Sequence, residues 1–242
     1  MKRLDNELLQ RNFFKTKNKA QQAIKAGIVY CNDKQVTKCG HEVSELTKIE
    51  IKGETLKYVS RGGLKLEKAL ETWNINLIGK TMIDIGSSTG GFSDCAIQKG
   101  IEKIYAIDVG TDQFDKELAK NPKINLYEQT DFRKMEQTIL NDANIITIDV
   151  SFISVTKLIE KISNLENVEE IVCLIKPQFE CGKEIADKFK GVILDKQVHE
   201  NVIKKVTEAF DDIGFKCIGV TTSPIKGGDG NVEYLAYFKK EI

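Results

Sequence analysis

Between residues 81 and 175, five short apolar runs at 81–85, 103–108, 124–127, 144–150 and 170–175 alternate with amphipathic segments of helical period. A strand covered on both faces reads as an unbroken apolar run, and two parallel neighbours need a crossover long enough for a helix. The pattern therefore predicts an α/β fold built on a parallel sheet. The last two runs break it, because Phe215–Thr221 and Val232–Phe238 are joined by a Gly-rich connection with no helical stretch. The final strand is thus expected to run antiparallel.

The start of the chain follows another pattern. Residues 3–10, with Leu4, Leu8 and Leu9 on one side, and residues 18–26, capped by Asn18 or Thr16 and stopped at Gly27, read as two short helices. Ile28-Val29-Tyr30 and Gln35-Val36-Thr37 flank an Asn32-Asp33 turn, the mark of a hairpin, and Leu46–Ile51 alternates like a strand with one wet face. Gly53 to Gly63 is the natural joint. The expected organisation is a small α+β domain at 1–57, a linker at 58–63 and the α/β domain at 64–242.

Charge sharpens this division. The 242 residues carry 36 Lys and Arg against 36 Asp and Glu, yet residues 1–60 hold 12 basic and 7 acidic side chains, which leaves an acidic excess for the rest. The basic end is the candidate reader of a polyanion. No apolar stretch approaches the roughly 18 residues that a spanning helix needs. Met1-Lys2-Arg3-Leu4-Asp5 lacks the apolar core of a secretory signal, so a soluble, cytoplasmic protein is expected. Six cysteines without any C-x-x-C, and two distant histidines, His41 and His199, have no metal-ligand spacing; reduced thiols and no metal are expected.

Thr81-Met82-Ile83-Asp84-Ile85 runs into Gly86-Ser87-Ser88-Thr89-Gly90-Gly91-Phe92, a strand entering a Gly-rich turn and then a helix. In an open α/β sheet this is where nucleotide-like ligands bind, and glycines let the backbone come close to them. The spacing is neither the dinucleotide fingerprint nor the P-loop. Asp108, 22 residues after Gly86 at the end of the second strand, suits the two hydroxyls of a ribose, and Asp131 after the third strand is within reach of an adenine amine. A loop without a phosphate-binding lysine suits a ligand without phosphate. S-adenosylmethionine has the ribose, the adenine and a cationic sulfonium, and Asp84, the Gly86–Phe92 loop, Asp108 and Asp131 are its expected contacts.

Asp149 ends the fourth strand and Lys176 the fifth, so both face the crevice at the carboxyl edge. Glu233 is expected to open the reversed final strand, whose start shares that edge, and Lys65 on the helix after the joint can close the set. Two lysines and two carboxylates beside a methyl donor are the parts needed to position and deprotonate a ribose hydroxyl. In one version Lys176 receives the proton. In another, Lys176 and Lys65 stabilise negative charge developing on oxygen while Asp149 and Glu233 orient them.

The first segment resembles the alpha-L RNA-binding domain of ribosomal protein S4, through Arg3-Leu4-Asp5, Lys19-Ala20-Gln21 leading to Ala26-Gly27-Ile28-Val29, and Asn32-x-x-Gln35-Val36-Thr37-Lys38. The resemblance implies that Arg3, Lys15, Lys17, Lys19 and Lys25, with Arg61 at the joint, lie against RNA backbone. Residues 60–242 are similar to the FtsJ-like ribose 2′-O-methyltransferase domain, and the whole chain resembles the TlyA family of ribosomal RNA 2′-O-methyltransferases, long called haemolysins. The motifs are Ser60-Arg61-Gly62-Gly63-Leu64-Lys65-Leu66, the Asp84–Phe92 loop, Asp149-Val150-Ser151-Phe152-Ile153-Ser154, Lys176-Pro177-Gln178-Phe179-Glu180 and Ser223–Glu233.

That resemblance implies a Rossmann-like class I methyltransferase sheet, a Lys65, Asp149, Lys176 and Glu233 tetrad, S-adenosylmethionine as cofactor, and cytidines of ribosomal RNA or ribosomal subunits as substrate. At the position of Asp131 the family more often has Asn. Three rival readings stand beside it: a membrane-active haemolysin, which needs an apolar or amphipathic segment; a non-catalytic ribosome-binding protein; and a pseudouridine synthase, whose chemistry needs no nucleoside cofactor loop. The sequence does not specify oligomeric state.

Overall fold

The computed structural model describes the chain except Lys15, residues 54–56, Gly228, Ile242 and the side chain of Asn18. Two compact units follow one another, Met1–Ser60 and Arg61–Ile242.

In the first unit, β1 (Lys2–Arg3) leads directly into α1 (Leu4–Gln10), and α2 (Lys17–Lys25) follows. The hydroxyl of Thr16 caps α2 by accepting the Lys19 N–H at 3.3 Å. Short strands β2 (Val29–Cys31), β3 (Lys34–Gln35) and β5 (Ile49–Ile51) form one sheet in the order β3-β2-β5, while β4 (Glu42–Val43) pairs with β1. Asn32 and Asp33 both have positive φ, as the two-residue turn of a hairpin requires. Leu4, Leu8, Ala20, Ile24, Val29 and Val43 close a small core. The strand expected from Leu46 starts only at Ile49. Thr47 instead closes a turn on Ser44, with hydrogen bonds of 3.1 and 3.0 Å, which leaves Leu46 exposed.

The second unit opens with α3 (Gly62–Trp73), so Gly62 and Gly63, expected in the linker, form the first helical turn. Then come β6 (Thr81–Ile85), α4 (Gly91–Gln98), β7 (Lys103–Ile107), β8 (Ile124–Tyr127), β9 (Ile145–Ile148) and α5 (Ile159–Ser163). After them follow β10 (Glu170–Ile175), α6 (Pro177–Glu180), α7 (Lys183–Lys188), α8 (Lys196–Asp211), β11 (Phe215–Thr222) and β12 (Tyr234–Lys240). The seven strands are ordered β11-β12-β10-β9-β6-β7-β8. β6 to β10 are parallel, and β12 runs against both β10 and β11.

Successive side chains of each strand face opposite sides. Ile83, Ile85, Ile146, Ile148, Ile171 and Cys173 share one core with Val202, Val206 and Phe210, the apolar stripe of α8. The other face is covered by α3, which buries Lys65, Leu66, Ala69 and Leu70 at helical spacing, and by α4. Lys65 is therefore carried on the inward stripe of a helix, which is what aims a cation at the sheet edge. Glu233 does not open β12 but lies one residue before it, with its carbonyl still accepting the Ser223 N–H at 2.9 Å.

Candidate active site

The carboxyl ends of β6, β7, β8 and β9 surround a cavity of about 350 Å³. Its walls come from four loops: Gly86 and Ser88 after β6, Asp108 and Gly110 after β7, Asp131 and Phe132 after β8, and the run Asp149–Ile153 after β9. Gly86 has φ +82°, and a Cβ there would lie 2.5 Å from the carbonyl oxygen of Asp149. Any larger residue would push the two loops apart, so glycine is needed where the cavity floor meets the charged rim.

Of the expected cofactor contacts, Gly86, Ser88, Asp108 and Asp131 line this cavity. Asp108 braces it: one oxygen accepts the Ser88 N–H at 2.8 Å and the other the Gly110 N–H at 2.7 Å. Asp131 lines the wall with both carboxylate oxygens on the Arg133 guanidinium, at 2.9 and 2.7 Å. That pairing holds its carboxyl below the usual carboxylate range.

The other expected contacts do not line the cavity. Asp84 points to the opposite face of β6, fully buried, where the Ser93 and Thr147 hydroxyls donate to it at 2.7 and 3.0 Å. Burial pushes its carboxyl up to about 6. Gly90 and Gly91 start α4, Phe92 is buried in the core, Ser87 is buried beneath the loop, and exposed Thr89 turns its carbonyl to the Asp115 N–H.

Beside the cavity the four charged side chains meet in a line. Asp149 binds Lys176 through Oδ1 at 2.6 Å and Lys65 through Oδ2 at 3.5 Å, and Lys65 in turn binds Glu233 at 2.8 Å. These residues come from four separate elements, and the two most distant are 168 positions apart. All but Asp149 are buried. Gly227 backs this line, since a Cβ there would lie 2.7 Å from the Glu233 carboxylate. Each cation is bounded by carboxylate, so the cluster is neutral as a whole and can stay withdrawn from water.

The expected RNA contacts have no common setting. Arg3 holds Asp5 with two hydrogen bonds, 3.1 and 2.8 Å, and Lys17 lies 3.9 Å from the same carboxylate. Lys19, Lys25 and Arg61 are exposed, and Lys15 lies outside the described residues. Sequence reasoning missed Ser151, whose hydroxyl accepts from Lys176 at 2.9 Å, and Arg133. The signal was present for both, as a hydroxyl two residues after Asp149 and a cation two after Asp131. Among the described residues no group of His, Cys, Asp or Glu is placed to hold a metal ion, and no helix is long and apolar enough to cross a membrane.

This strand order with its reversed neighbour, and a cavity over the ends of the central strands, define an α/β methyltransferase of the class I type. The FtsJ-like methyltransferase family matches residues 58–240, and the S4 domain matches residues 2–45. Hemolysin A of Brachyspira hyodysenteriae is 39% identical over 98% of this chain and 99% of its own length. The 16S/23S rRNA (cytidine-2′-O)-methyltransferase TlyA of Mycobacterium tuberculosis is 31% identical over 99% of this chain and 90% of its own. A solved structure from Streptococcus thermophilus, described as a hemolysin, superposes with a TM-score of 0.76 at 38% identity, covering 99% of this chain and 88% of that one. The chain belongs to the TlyA family of FtsJ-like methyltransferases carrying an S4 domain.

Proposed function

We propose that this protein methylates ribose 2′-hydroxyls of ribosomal RNA, at cytidine, with S-adenosylmethionine as donor. The observation that carries the reading is the line Glu233, Lys65, Asp149, Lys176 at the rim of a glycine-floored cavity. The cavity suits the donor. Asp108 keeps unshared electron pairs for ribose hydroxyls, Asp131 presents an ionised acceptor to an adenine amine, and Ile107, Phe132 and Leu158 give an apolar wall for the ring. Gly86 and Ser88 keep the backbone close to the ligand. When bound, S-adenosylmethionine supplies a methyl group on a positively charged sulfur, open to in-line displacement by a ribose oxygen.

The chain's own contribution is placement and charge. Lys176 has Asp149 and Ser151 as fixed partners, which leaves one N–H direction for the incoming 2′-oxygen. An ammonium held this way donates a hydrogen bond to developing negative charge, the electrostatic version of the mechanism. Asp149 orients both lysines, and Glu233 fixes Lys65 from behind. A reacting 2′-hydroxyl excludes DNA, and the target nucleotide must leave its helix or sit in a loop to reach the rim.

The basic first unit, with Lys19 and Lys25 exposed, fits a sequence-blind grip on RNA backbone. A ribosomal substrate places the reaction in the cytoplasm. The test is incubation with labelled S-adenosylmethionine and separate rRNA and ribosomal-subunit fractions, followed by mapping of the modified ribose. Label in 2′-O-methylcytidine is expected; no labelled ribose in any fraction overturns the reading. Leakage of liposomes by the purified protein would favour a membrane-active role instead.

A further inference from the structure

The Lys176–Glu180 segment gives one residue to the charged line, but its last residue is buried more deeply. Glu180 is 3% exposed, and among the described residues its carboxylate is held by neutral donors: the Val155 N–H at 2.7 Å and the Ser154 hydroxyl. The same residue is anchored from α8, where Lys205 donates to its backbone carbonyl at 3.0 Å. Its bonds close a segment that begins at Asp149, whose own N–H is tied to Ile85 of β6 at 2.9 Å.

Residues 149–155 and 176–180 therefore run side by side with ties along their length. Asp149 and Ser151 bind Lys176, the Phe152 ring rests 5.1 Å from that of Phe179, and Ser154 and Val155 bind Glu180. Phe152 has φ +65°, uncommon for a bulky residue, and lies between these ties while 92% exposed. The same segment, from Asp149 to Ile153, is one wall of the cavity.

We infer that Glu180 is a positioning residue for methyl transfer. Through Ser154 and Val155 it keeps Asp149 and the cavity wall at the spacing that Lys176 requires. Glu180 does not line the cavity, so its effect is transmitted through the segment it ties. This assignment rests on the methyltransferase reading above.

Three substitutions separate placement from charge and from bulk stability. Glu180→Gln keeps the length, accepts from Val155 and can meet the Ser154 hydroxyl, so kcat should stay within about threefold of the parent. Glu180→Asp keeps the charge but is one methylene shorter, and Glu180→Ala removes both ties. Both should lower kcat on the order of 10- to 100-fold, since a misplacement of about 1 Å costs about that much. The KM for RNA should not change, and the dissociation constant for S-adenosylmethionine should rise less than kcat falls.

All assays are run well below each variant's melting temperature, where a merely structural role would leave kcat untouched. Should Glu180→Ala fail to fold, Ser154→Ala removes one tie and is expected to lower kcat several-fold. Parental kcat in folded Glu180→Asp or Ser154→Ala overturns the assignment, as does Glu180→Gln falling as far as Glu180→Ala. If the unaltered protein methylates no RNA, the functional reading fails instead. The dissociation constants for S-adenosylmethionine then still decide whether Glu180 shapes the cavity wall.

Discussion

The two ends of β10 carry the same chemistry in opposite surroundings. At its start Glu170 lies between Lys80 and Lys239, the latter at 3.6 Å, and accepts the Tyr237 hydroxyl at 2.8 Å. Just past its end Lys176 meets Asp149, which lies between Lys176 and Lys65. Each is a carboxylate flanked by two lysines. Around Glu170 the neighbours are rings, with Tyr237 stacked on Trp73 at 5.6 Å, whereas Asp149 lines a cavity floored by glycine. A cluster of paired charges thus says little about function. The open volume that Asp149 lines is what makes one end a candidate site and the other a structural tie.

The contrast breaks most sharply at Lys176. Lys176→Ala should lower kcat by about a hundred- to a thousandfold, the range that loss of a single charge-stabilising donor reaches, while S-adenosylmethionine affinity stays within about threefold. Substantial remaining turnover would remove the distinction between the two ends of β10.

Asp84 supplies the next largest effect. Its carboxyl is pushed up to about 6 from the ordinary 3.8, so between those values the folded protein keeps a proton that the unfolded chain has released. Stability from this group is complete below about pH 4, falls as pH rises and is lost beyond about pH 6. Asp84→Asn removes that slope and should stabilise the protein by about 3 kcal/mol more at pH 8 than at pH 4. Urea unfolding across that range checks it; parallel curves for parent and variant would contradict the assigned burial effect.

Glu170→Gln tests the sealed end. Losing this charge from its ring of donors should cost about 2 kcal/mol of stability and leave methyl transfer unchanged. Lys80 and Tyr237 hold the Glu170 carboxyl below its ordinary range despite burial. The stabilisation is therefore present above the ordinary glutamate value and is lost as pH falls through the lowered one. Thermal melts at neutral and acid pH should show the difference between parent and variant shrinking in acid. A fall in kcat at neutral pH would mean that the two ends are coupled.

The smallest effects belong to the basic first unit. Lys19→Ala or Lys25→Ala should weaken RNA binding a few-fold and lower the slope of log affinity against log salt by about 1. An unchanged slope would show that the residue does not meet phosphate.

Much of the architecture could be read in advance because apolar runs and turn residues act locally. The runs at 81–85, 124–127 and 170–175 coincide with β6, β8 and β10, and the reversed last strand follows from a connection without a helix. Asp108, Asp149 and Lys176 could be placed because each directly follows a strand. Asp84 differs from them, because its position inside β6 sends the side chain to the face opposite the loop it precedes. Glu180 carried no periodic signal, and its partners, Ser154 and Val155, are named only by the folded loops.

The order of short apolar runs and the glycine-rich turn determined by themselves which sheet this chain builds and which edge carries the cavity, since burial and backbone freedom depend on neighbours in sequence. Only the tertiary structure decided which charges share a partner. Asp149 reaches Lys65 across 84 positions, and Lys65 reaches Glu233 across 168. Such contacts depend on how α3 and the loops after β9 and β10 lie over the sheet, and ionic attraction acts over a few ångströms that no spacing in the sequence encodes.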